Sequence, residues 1–346
     1  MVDFGGWDMP VQYSGLVAEH EAVRQRAGLF DVSHMGQLEI TGPDALDLVE
    51  RVSCNRAASL KDGQAHYAGL LNERGGFIDD MLVHRISDER YFLCVNASNQ
   101  DRDFEWIVDH NDFDAQVENV GQDYALLAIQ GPRARRIAQS LTDEDLDAIR
   151  YYWFVECTFA GVPTILARTG YTGEDGFEAY VPAEDAAEVW SKIMQAGQDC
   201  EIAPCGLGAR NTLRLEAAMS LHGHEIDENV TPWEAGLGRF VKLEKGDFVG
   251  RDALVQQKDA GVERKITGFE MRGRGIGRDG YAVFAGDQQI GHVTSGGPAP
   301  SLNKNIGLAM LGAEHTGVGS SIEVEIRGRR VEAETVKTPF YTRSKG

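Results

Sequence analysis

Hydrophobic residues in the first half of the chain follow helical spacing in some segments and strand-like spacing in others. Apolar positions recur at helical spacing over residues 16–27, and the segment after them alternates like a strand. This strand ends in Ile-Thr-Gly-Pro at residues 40–43 and leads into a predicted helix that has Pro43 in its first turn and apolar positions between residues 45 and 52. The same order recurs around Ile-Gln-Gly-Pro at residues 129–132, so the pattern predicts two related lobes.

The rest of the chain mixes strands and helices and then becomes rich in strands. A hairpin is predicted over residues 77–96, and the helices and strands after it lack the regular order of a doubly wound parallel sheet, which favours an α+β region. From Lys265 onward, short alternating runs between glycine-rich turns predict a small all-β barrel or sandwich. We therefore expect one folded region at residues 1–258 and a β domain at residues 262–346.

The charge of the chain narrows the classes of ligand. Its 346 residues include 34 Lys and Arg against 54 Asp and Glu, a formal net charge of −20. Such a field repels phosphate backbones and anionic membrane surfaces, so we expect neither a nucleic-acid nor a membrane partner. No apolar run approaches the roughly 20 residues that span a bilayer, and no targeting segment is visible, which predicts a cytoplasmic location.

Cysteine spacing and short motifs argue against several kinds of site. The five cysteines are scattered and odd in number, which favours reduced thiols, and their spacing matches no zinc site, so we expect no metal. A Gly-x-Gly-x-x-Gly run at residues 275–280 precedes a strand instead of a helix, which indicates a hairpin turn rather than a dinucleotide site. The chain contains neither a Gly-x-Ser-x-Gly elbow nor a phosphate-binding loop.

Two adjacent carboxylates, Asp79 and Asp80, follow Gly75-Gly76 within an apolar segment. Successive side chains of a strand point to opposite faces, so one of the two would be buried or line a pocket, where it needs a hydrogen-bond donor. Alternatively, both carboxylates lie in the turn that begins the hairpin. The sequence leaves these two interpretations open.

Two later segments combine glycines with charged residues. Residues 171–178 contain turn residues, a tyrosine and three carboxylates, and are typical of an acidic surface turn. Residues 206–217 predict a helix entered through glycines, with Arg210 in a first turn that usually favours acidic side chains. The arginine therefore either serves a ligand or forms an ordinary salt bridge.

Taken together and in order, the motifs of this chain resemble the aminomethyltransferase family of the glycine cleavage system, the T-proteins. The matching segments are Phe-Gly-Gly-Trp-Asp-Met-Pro-Val-Gln-Tyr at residues 4–13, Gly-Leu-Phe-Asp-Val-Ser-His-Met at 28–35, residues 75–83, Asn-Ala-Ser-Asn at 96–99, residues 171–178, residues 206–216, Pro-Trp-Glu-Ala-Gly-Leu-Gly at 232–238 and Thr-Ser-Gly-Gly at 294–297. The resemblance extends from the first residue to about Phe340 and is far more specific than any single motif.

The resemblance implies a fold, a reaction and two partners. The fold is a two-lobed folate-binding region followed by a C-terminal β-barrel domain, in a cloverleaf arrangement. The reaction takes an aminomethyl group from the lipoyl arm of a carrier, the H-protein, releases ammonia and forms methylene-tetrahydrofolate. Tetrahydrofolate is thus the implied co-substrate, and the carrier supplies the lipoyl group.

The resemblance also implies roles for seven residues. Asp80 matches the catalytic aspartate of the family. Six further residues match folate-binding positions, of which four line the pterin pocket, one is a carboxylate suited to the amidine edge of the pterin, and one is an arginine that contacts folate. In that order they are Met35, Tyr67, Asn96 and Tyr171, then Glu178, then Arg210.

Two alternatives of related fold stay open. One is a folate-dependent demethylase that acts on a small methylated compound and needs no carrier. The other is a non-catalytic folate-binding factor for iron–sulfur cluster assembly. Proteins of that kind carry a Lys-Gly-Cys-Tyr-x-Gly-Gln-Glu signature, and no such run occurs here.

Overall fold

The computed structural model describes residues 1–343, and the chain divides into two compact units. The first unit comprises residues 1–70, 78–210 and 242–249. The second comprises residues 71–77, 211–241 and the chain from residue 250 onward. Within the described residues, no helix is long and apolar enough to cross a membrane.

The regular elements are numbered in chain order. The strands are β1 (Val2–Phe4), β2 (Trp7–Met9), β3 (Gly28–Asp31), β4 (Gly36–Thr41), β5 (Gln64–Leu71), β6 (Phe77–Ser87), β7 (Arg90–Val95), β8 (Gln116–Asn119), β9 (Tyr124–Gln130), β10 (Phe154–Phe159), β11 (Val162–Ala167), β12 (Gly176–Pro182), β13 (Ala203–Pro204), β14 (Arg264–Met271), β15 (Ala282–Ala285), β16 (Gln288–Ala299), β17 (Lys304–Gly312), β18 (Ser321–Ile326) and β19 (Arg329–Val336). The α-helices are α1 (Leu16–Gln25), α2 (Ala45–Val52), α3 (Gln100–Asp109), α4 (Ala134–Gln139), α5 (Ala186–Ala196), α6 (Leu207–Glu216) and α7 (Arg251–Ala260).

A five-stranded sheet in the first unit has the strand order β5-β6-β7-β4-β8. Strand β7 pairs antiparallel with both β6 and β4, and β4 pairs antiparallel with β8. Helices α2 and α3 bury apolar side chains, among them Leu48 and Ile107, in the core against this sheet. Burying one such side chain stabilises the folded state by about 1.5–3 kcal/mol. The apolar positions that predicted helices and strands in the sequence therefore also stabilise the packing of the helices on the sheet.

A six-stranded sheet in the first unit has the order β10-β11-β12-β9-β3-β13. Its neighbours pair antiparallel, except that β13 runs parallel to β3. Helices α4 and α5 cover it through buried residues that include Ile137, Val189 and Ile193. This second core, like the first, is built from side chains of both helices and strands.

Aromatic side chains join the two sheets of the first unit. The ring of His84 on β6 lies 5.2 Å from that of Phe154 on β10 and 5.6 Å from that of Tyr180 on β12. Phe92 on β7 also meets Tyr180, with ring centroids 5.1 Å apart. Burial lowers the pKa of His84 to about 4, so this imidazole is neutral near pH 7 and packs as an aromatic ring.

The repeated Gly-Pro signal corresponds to two turns with the same backbone conformation. Gly42 and Gly131 have φ angles of 122° and 123°. A Cβ atom would lie 2.7 Å from the Asp114 carbonyl oxygen at the first position and 2.6 Å from the Val23 carbonyl oxygen at the second, so both positions require glycine. Helix α2 begins two residues after the proline, which therefore precedes the helix instead of lying in its first turn.

The strands at the C-terminus of the second unit form a closed barrel in the order β14-β17-β16-β15-β18-β19. Its interior is filled by buried side chains that include Phe269, Val293 and Leu311. The structure confirms the predicted α+β class with a C-terminal β-barrel. The predicted hairpin turn at residues 275–280 is wrong, because the strands on either side of this run, β14 and β15, are not neighbours in the barrel.

A buried ion pair in the second unit connects α6 to the barrel strand β16. The side chain of Arg214 is 3% exposed, and its Nη1 donates to Oε2 of Glu225 at 2.9 Å. Its Nη2 donates to Ser295 Oγ at 2.9 Å, and its Nε donates to Oδ1 of Asn211 at 2.9 Å. Asn211, the residue after Arg210, therefore orients Arg214. Because the pair is buried and its donors are satisfied, loss of one partner would leave an uncompensated charge.

We expect Glu225→Gln to lower the free energy of unfolding by about 3–5 kcal/mol, because the Arg214 guanidinium would be buried without a counter-charge. Urea denaturation measures this change. Asp287→Asn is the matched control: its carboxylate faces Arg330 at 3.7 Å but is fully exposed, so no measurable change is expected. Equal stability of the Glu225→Gln variant and the native chain would contradict the assignment.

Candidate active site

Asp79 and Asp80 lie within strand β6, so the interpretation that placed them in a turn is wrong. The alternation of the strand separates their environments, since Asp79 has no exposed surface and Asp80 is half-buried. Asp79 accordingly needs partners inside the protein. Asp80 needs them too, but it keeps access to whatever occupies the space beside the strand.

Asn96 holds both carboxylates. It follows β7, the strand paired with β6, and its backbone N–H donates to Asp79 Oδ2 at 2.9 Å. Its side-chain Nδ2 donates to Asp79 Oδ1 at 2.8 Å and to Asp80 Oδ1 at 2.7 Å. Asn99 Nδ2 adds a further bond to Asp79 Oδ1 at 2.8 Å. Hydrogen bonds to charged acceptors are strong, so this arrangement fixes the orientation of Asp80.

The environment of Asp80 alters its acidity. Burial and the neighbouring charge of Asp79 raise the pKa of Asp80, while interactions with Tyr67 and Asn96 oppose the rise. Burial and the charge of Asp80 in turn raise the pKa of Tyr67 well above its usual value, so this phenol stays protonated. A carboxyl with a raised pKa can exchange a proton closer to neutral pH than an ordinary aspartate.

Arg210 contacts two further predicted residues, Tyr171 and Met35. Its guanidinium lies 4.6 Å from the centre of the Tyr171 ring, and its Nη2 lies 3.9 Å from the sulfur of Met35. The charge of Arg210 also helps to keep the pKa of Glu178 from rising further. The first turn of α6 therefore carries a cation that faces aromatic, thioether and carboxylate groups of the first unit.

Glu178 lies on β12 and is 7% exposed. Burial raises its pKa, and a hydrogen bond from Thr169 Oγ1 to its Oε2, 2.5 Å long, opposes that rise. Among residues 1–343 the carboxylate accepts a hydrogen bond from Thr169 alone. A buried carboxylate with spare acceptor positions suits a ligand that presents several N–H donors.

The acidic surface turn predicted over residues 171–178 is wrong. The side chain of Glu174 is 5% exposed and its Oε1 accepts a bond from Arg24 Nη1 at 2.9 Å. The same Arg24 nitrogen donates to the carbonyl oxygen of Thr172 at 2.8 Å. The loop that carries Tyr171 is therefore fastened to α1 by a buried ion pair.

All seven predicted residues lie in the first unit, in two groups. Asp80, Tyr67 and Asn96 come from the five-stranded sheet, whereas Glu178 and Tyr171 belong to the six-stranded sheet and the loop before it. Chemically, the arrangement can stabilise positive charge and exchange a proton at one end, and bind a flat polar ring at the other.

Four polar residues near these groups were not predicted from the sequence. They are His34, Asn99, Asp103 and Thr169. His34 is 3% exposed, and burial followed by the charge of Arg210 lowers its pKa to about 3, so it is neutral. His34 and Asn99 lie inside the segments that resemble the family, so the sequence could have indicated them as site residues. Their burial could not be predicted, because it depends on contacts between distant parts of the chain.

Comparisons with known proteins extend along nearly the whole chain. Residues 1–245 match the GCVT N-terminal domain, and residues 264–342 match the glycine cleavage T-protein C-terminal barrel domain. The aminomethyltransferase of Acidobacterium capsulatum is 52% identical to this chain, over 100% of this chain and 93% of the relative. The aminomethyltransferase of Halalkalibacterium halodurans is 48% identical, over 99% of this chain and 94% of the relative. The crystal structure of glycine cleavage system aminomethyltransferase T from Bartonella henselae superimposes with a TM-score of 0.92 at 33% identity, covering 98% of this chain and 93% of that one. The resemblance found in the sequence is confirmed, and the chain belongs to the aminomethyltransferase family of glycine cleavage T-proteins.

Proposed function

We propose that this aminomethyltransferase transfers the one-carbon unit of an aminomethyl-lipoyl arm, carried by an H-protein, to tetrahydrofolate. Ammonia and the reduced lipoyl arm are released, and methylene-tetrahydrofolate is the folate product. The observation that supports this most is Asp80, a half-buried carboxyl with a raised pKa whose orientation is fixed by Asn96. A group of this kind suits a reaction in which an amine loses a proton while positive charge passes through the site.

The role assigned to Asp80 follows from its charge and position. Tetrahydrofolate, when bound, supplies the nitrogen atoms that accept the one-carbon unit. The ionised Asp80 carboxylate stabilises positive charge beside it and orients an incoming amine, and its oxygens can hold the proton that the amine gives up. Because Asn96 and Asp79 fix the carboxylate in advance, little reorganisation is needed when the charge develops.

Glu178 and Arg210 are the groups proposed to recognise folate. The Glu178 carboxylate has acceptor positions that no donor among residues 1–343 fills, which matches the donor-rich amidine edge of a pterin. Arg210 supplies a positive charge for an anionic ligand in a chain whose net charge is −20. Met35, Tyr67 and Tyr171 add the thioether and aromatic surfaces that suit a flat ring, and Asn96 supplies an amide.

The activity itself is tested by supplying purified protein with tetrahydrofolate and an aminomethylated, lipoylated H-protein. We expect ammonia release that requires both partners. Turnover of a small free methyl donor without the carrier would instead support the folate-dependent demethylase. Tight folate binding without transfer, together with rescue of defects in iron–sulfur enzymes, would support the non-catalytic assembly factor.

We expect Asp80→Asn to reduce kcat by about 10²-fold or more while folding and folate affinity change less, because the lost charge acts mainly in the transition state. Asp79→Asn removes the acceptor for Asn96 and Asn99, so its main effect is expected on stability, at about 1–3 kcal/mol. Carrier-dependent kinetics and urea denaturation of both variants measure these effects. If Asp79→Asn is the more damaged in turnover at equal folding, the catalytic assignment is wrong.

We expect Glu178→Ala and Arg210→Ala each to weaken tetrahydrofolate binding by about 1–3 kcal/mol, because each removes one side of a charged hydrogen bond to the ligand. Isothermal titration calorimetry measures the change. Glu188→Gln on α5 is a suitable control, because that carboxylate is 66% exposed and pairs with Lys192 on the same helix. Unchanged affinities for Glu178→Ala and Arg210→Ala would remove both residues from the binding site.

A further inference from the structure

Asp103 is a buried acid on helix α3 that the roles described above do not use. It has no exposed surface and lies on the same side of the helix as Ile107, one turn later. Neither of its carboxyl oxygens accepts a hydrogen bond from any group among residues 1–343. An ionised carboxylate has about four acceptor positions, so a buried one without a donor would be strongly unfavourable.

The groups that act on Asp103 come from strand β6 and from its own helix. The carboxyl of Asp79 faces that of Asp103 within hydrogen-bonding range, so a bond between the two requires a proton on one of them. Asp80, on the same strand, adds a weaker repulsion. Arg102 is the cation nearest in sequence, but its Nη2 donates to the carbonyl oxygen of Ile78 at 3.0 Å. The first turn of a helix favours an anion, as does Arg102. The helix terminus and Arg102 favour the ionised form, but burial and the charge of Asp79 outweigh them and raise the pKa of Asp103 to about 11.

We propose that Asp103 keeps its proton throughout the working pH range and donates it in a hydrogen bond to Asp79, so that it positions the Asp79–Asn96–Asp80 arrangement. Two facing carboxylates repel each other, whereas a carboxylic acid facing a carboxylate forms a hydrogen bond. Asp79 then has four donors: the backbone and side chain of Asn96, the side chain of Asn99 and the acid proton of Asp103. Four donors match the acceptor capacity of one ionised carboxylate.

The proton on Asp103 also sets the charge that Asp80 experiences. Asp79 then remains as a fixed negative charge behind Asp80, and it raises the pKa of Asp80 without a charge on Asp103 adding to that effect. Asp103 has no exposed surface and acts through Asp79, so it is a positioning residue. This consequence for catalysis rests on the proposed role of Asp80, whereas the protonation of Asp103 does not.

The protonation state can be measured directly on the ligand-free protein. Aspartate labelled with ¹³C at the side-chain carboxyl gives one resonance for each residue, and Asp103→Asn assigns the signal of interest by its disappearance. We expect this resonance to stay at the position of a protonated acid between about pH 6 and pH 8, where an ordinary aspartate is fully ionised. A resonance at the ionised position across that range would overturn the proposal, whether or not the protein transfers aminomethyl groups.

Kinetic variants test the positioning role. Asp103→Asn replaces one neutral donor by another, so the pH at which kcat rises with ionisation of Asp80 should not move. Asp79→Asn is the matched control and should move that pH downward, because it removes the charge that raises the pKa of Asp80. Asp103→Leu keeps similar volume without a donor, and we expect kcat to fall about tenfold with little change in KM for folate.

A shift of the Asp103→Asn profile as large as that of Asp79→Asn would show that Asp103 is normally ionised and would overturn the proposal. A kcat for folded Asp103→Leu equal to that of the native protein would overturn its positioning role. If Asp103→Leu does not fold, the resonance measurement and the Asp103→Asn profile still decide between the two protonation states.

Discussion

The amide of Asn96 connects the two adjacent carboxylates of β6, and the orientation of Asp80 in the proposed site depends on it. Neighbouring residues of a strand normally have separate environments because their side chains leave opposite faces. Here one side-chain nitrogen lies within 2.8 Å of an oxygen of each carboxylate, so the buried Asp79 and the half-buried Asp80 share one donor. Asp79 has no exposed surface, yet its charge raises the pKa of Asp80, which lies on the open side of the strand.

The pairing of β6 with β7 makes this possible. Residues 82–87 of β6 oppose residues 90–94 of β7, which brings the end of β7 alongside the start of β6. Asn96 thus reaches Asp79 and Asp80 directly after the last paired residue. Around this point the aromatic contacts between the two sheets supply a rigid support, since a neutral His84 packs there as one more ring. The register between β6 and β7 therefore determines both the packing of these two strands and the positions of the polar groups at their ends.

The sequence predicted the elements of the fold better than the environments of individual side chains. Periodicity located most helices and strands, and alternation correctly predicted that Asp79 and Asp80 differ in environment on a strand, but not which of the two is fully buried. It could not show that Glu174 is buried, because its partner Arg24 lies 150 residues earlier in the chain. Likewise, Asp103 has the sequence of an ordinary exposed acid in a first helical turn, and only tertiary packing removes water from it. The strand order of the barrel also depends on pairings that no local glycine pattern specifies.

The division of the site between two sheets has a consequence for how such a protein can change. Asp79 and Asp80 on the five-stranded sheet are held by Asn96 and Asn99 in the segment after β7, while Glu178 on the other sheet is held by Thr169 in the loop before β12. Within residues 1–343, the bond from Asn96 to Asp80 and the bond from Thr169 to Glu178 share no residue. Substitutions around Glu178 can therefore alter recognition of one edge of the ligand without removing the bond that orients Asp80. Asn96 and Tyr67, by contrast, are proposed to contact the ligand and also act on Asp80, so a change at either would alter specificity and reactivity together.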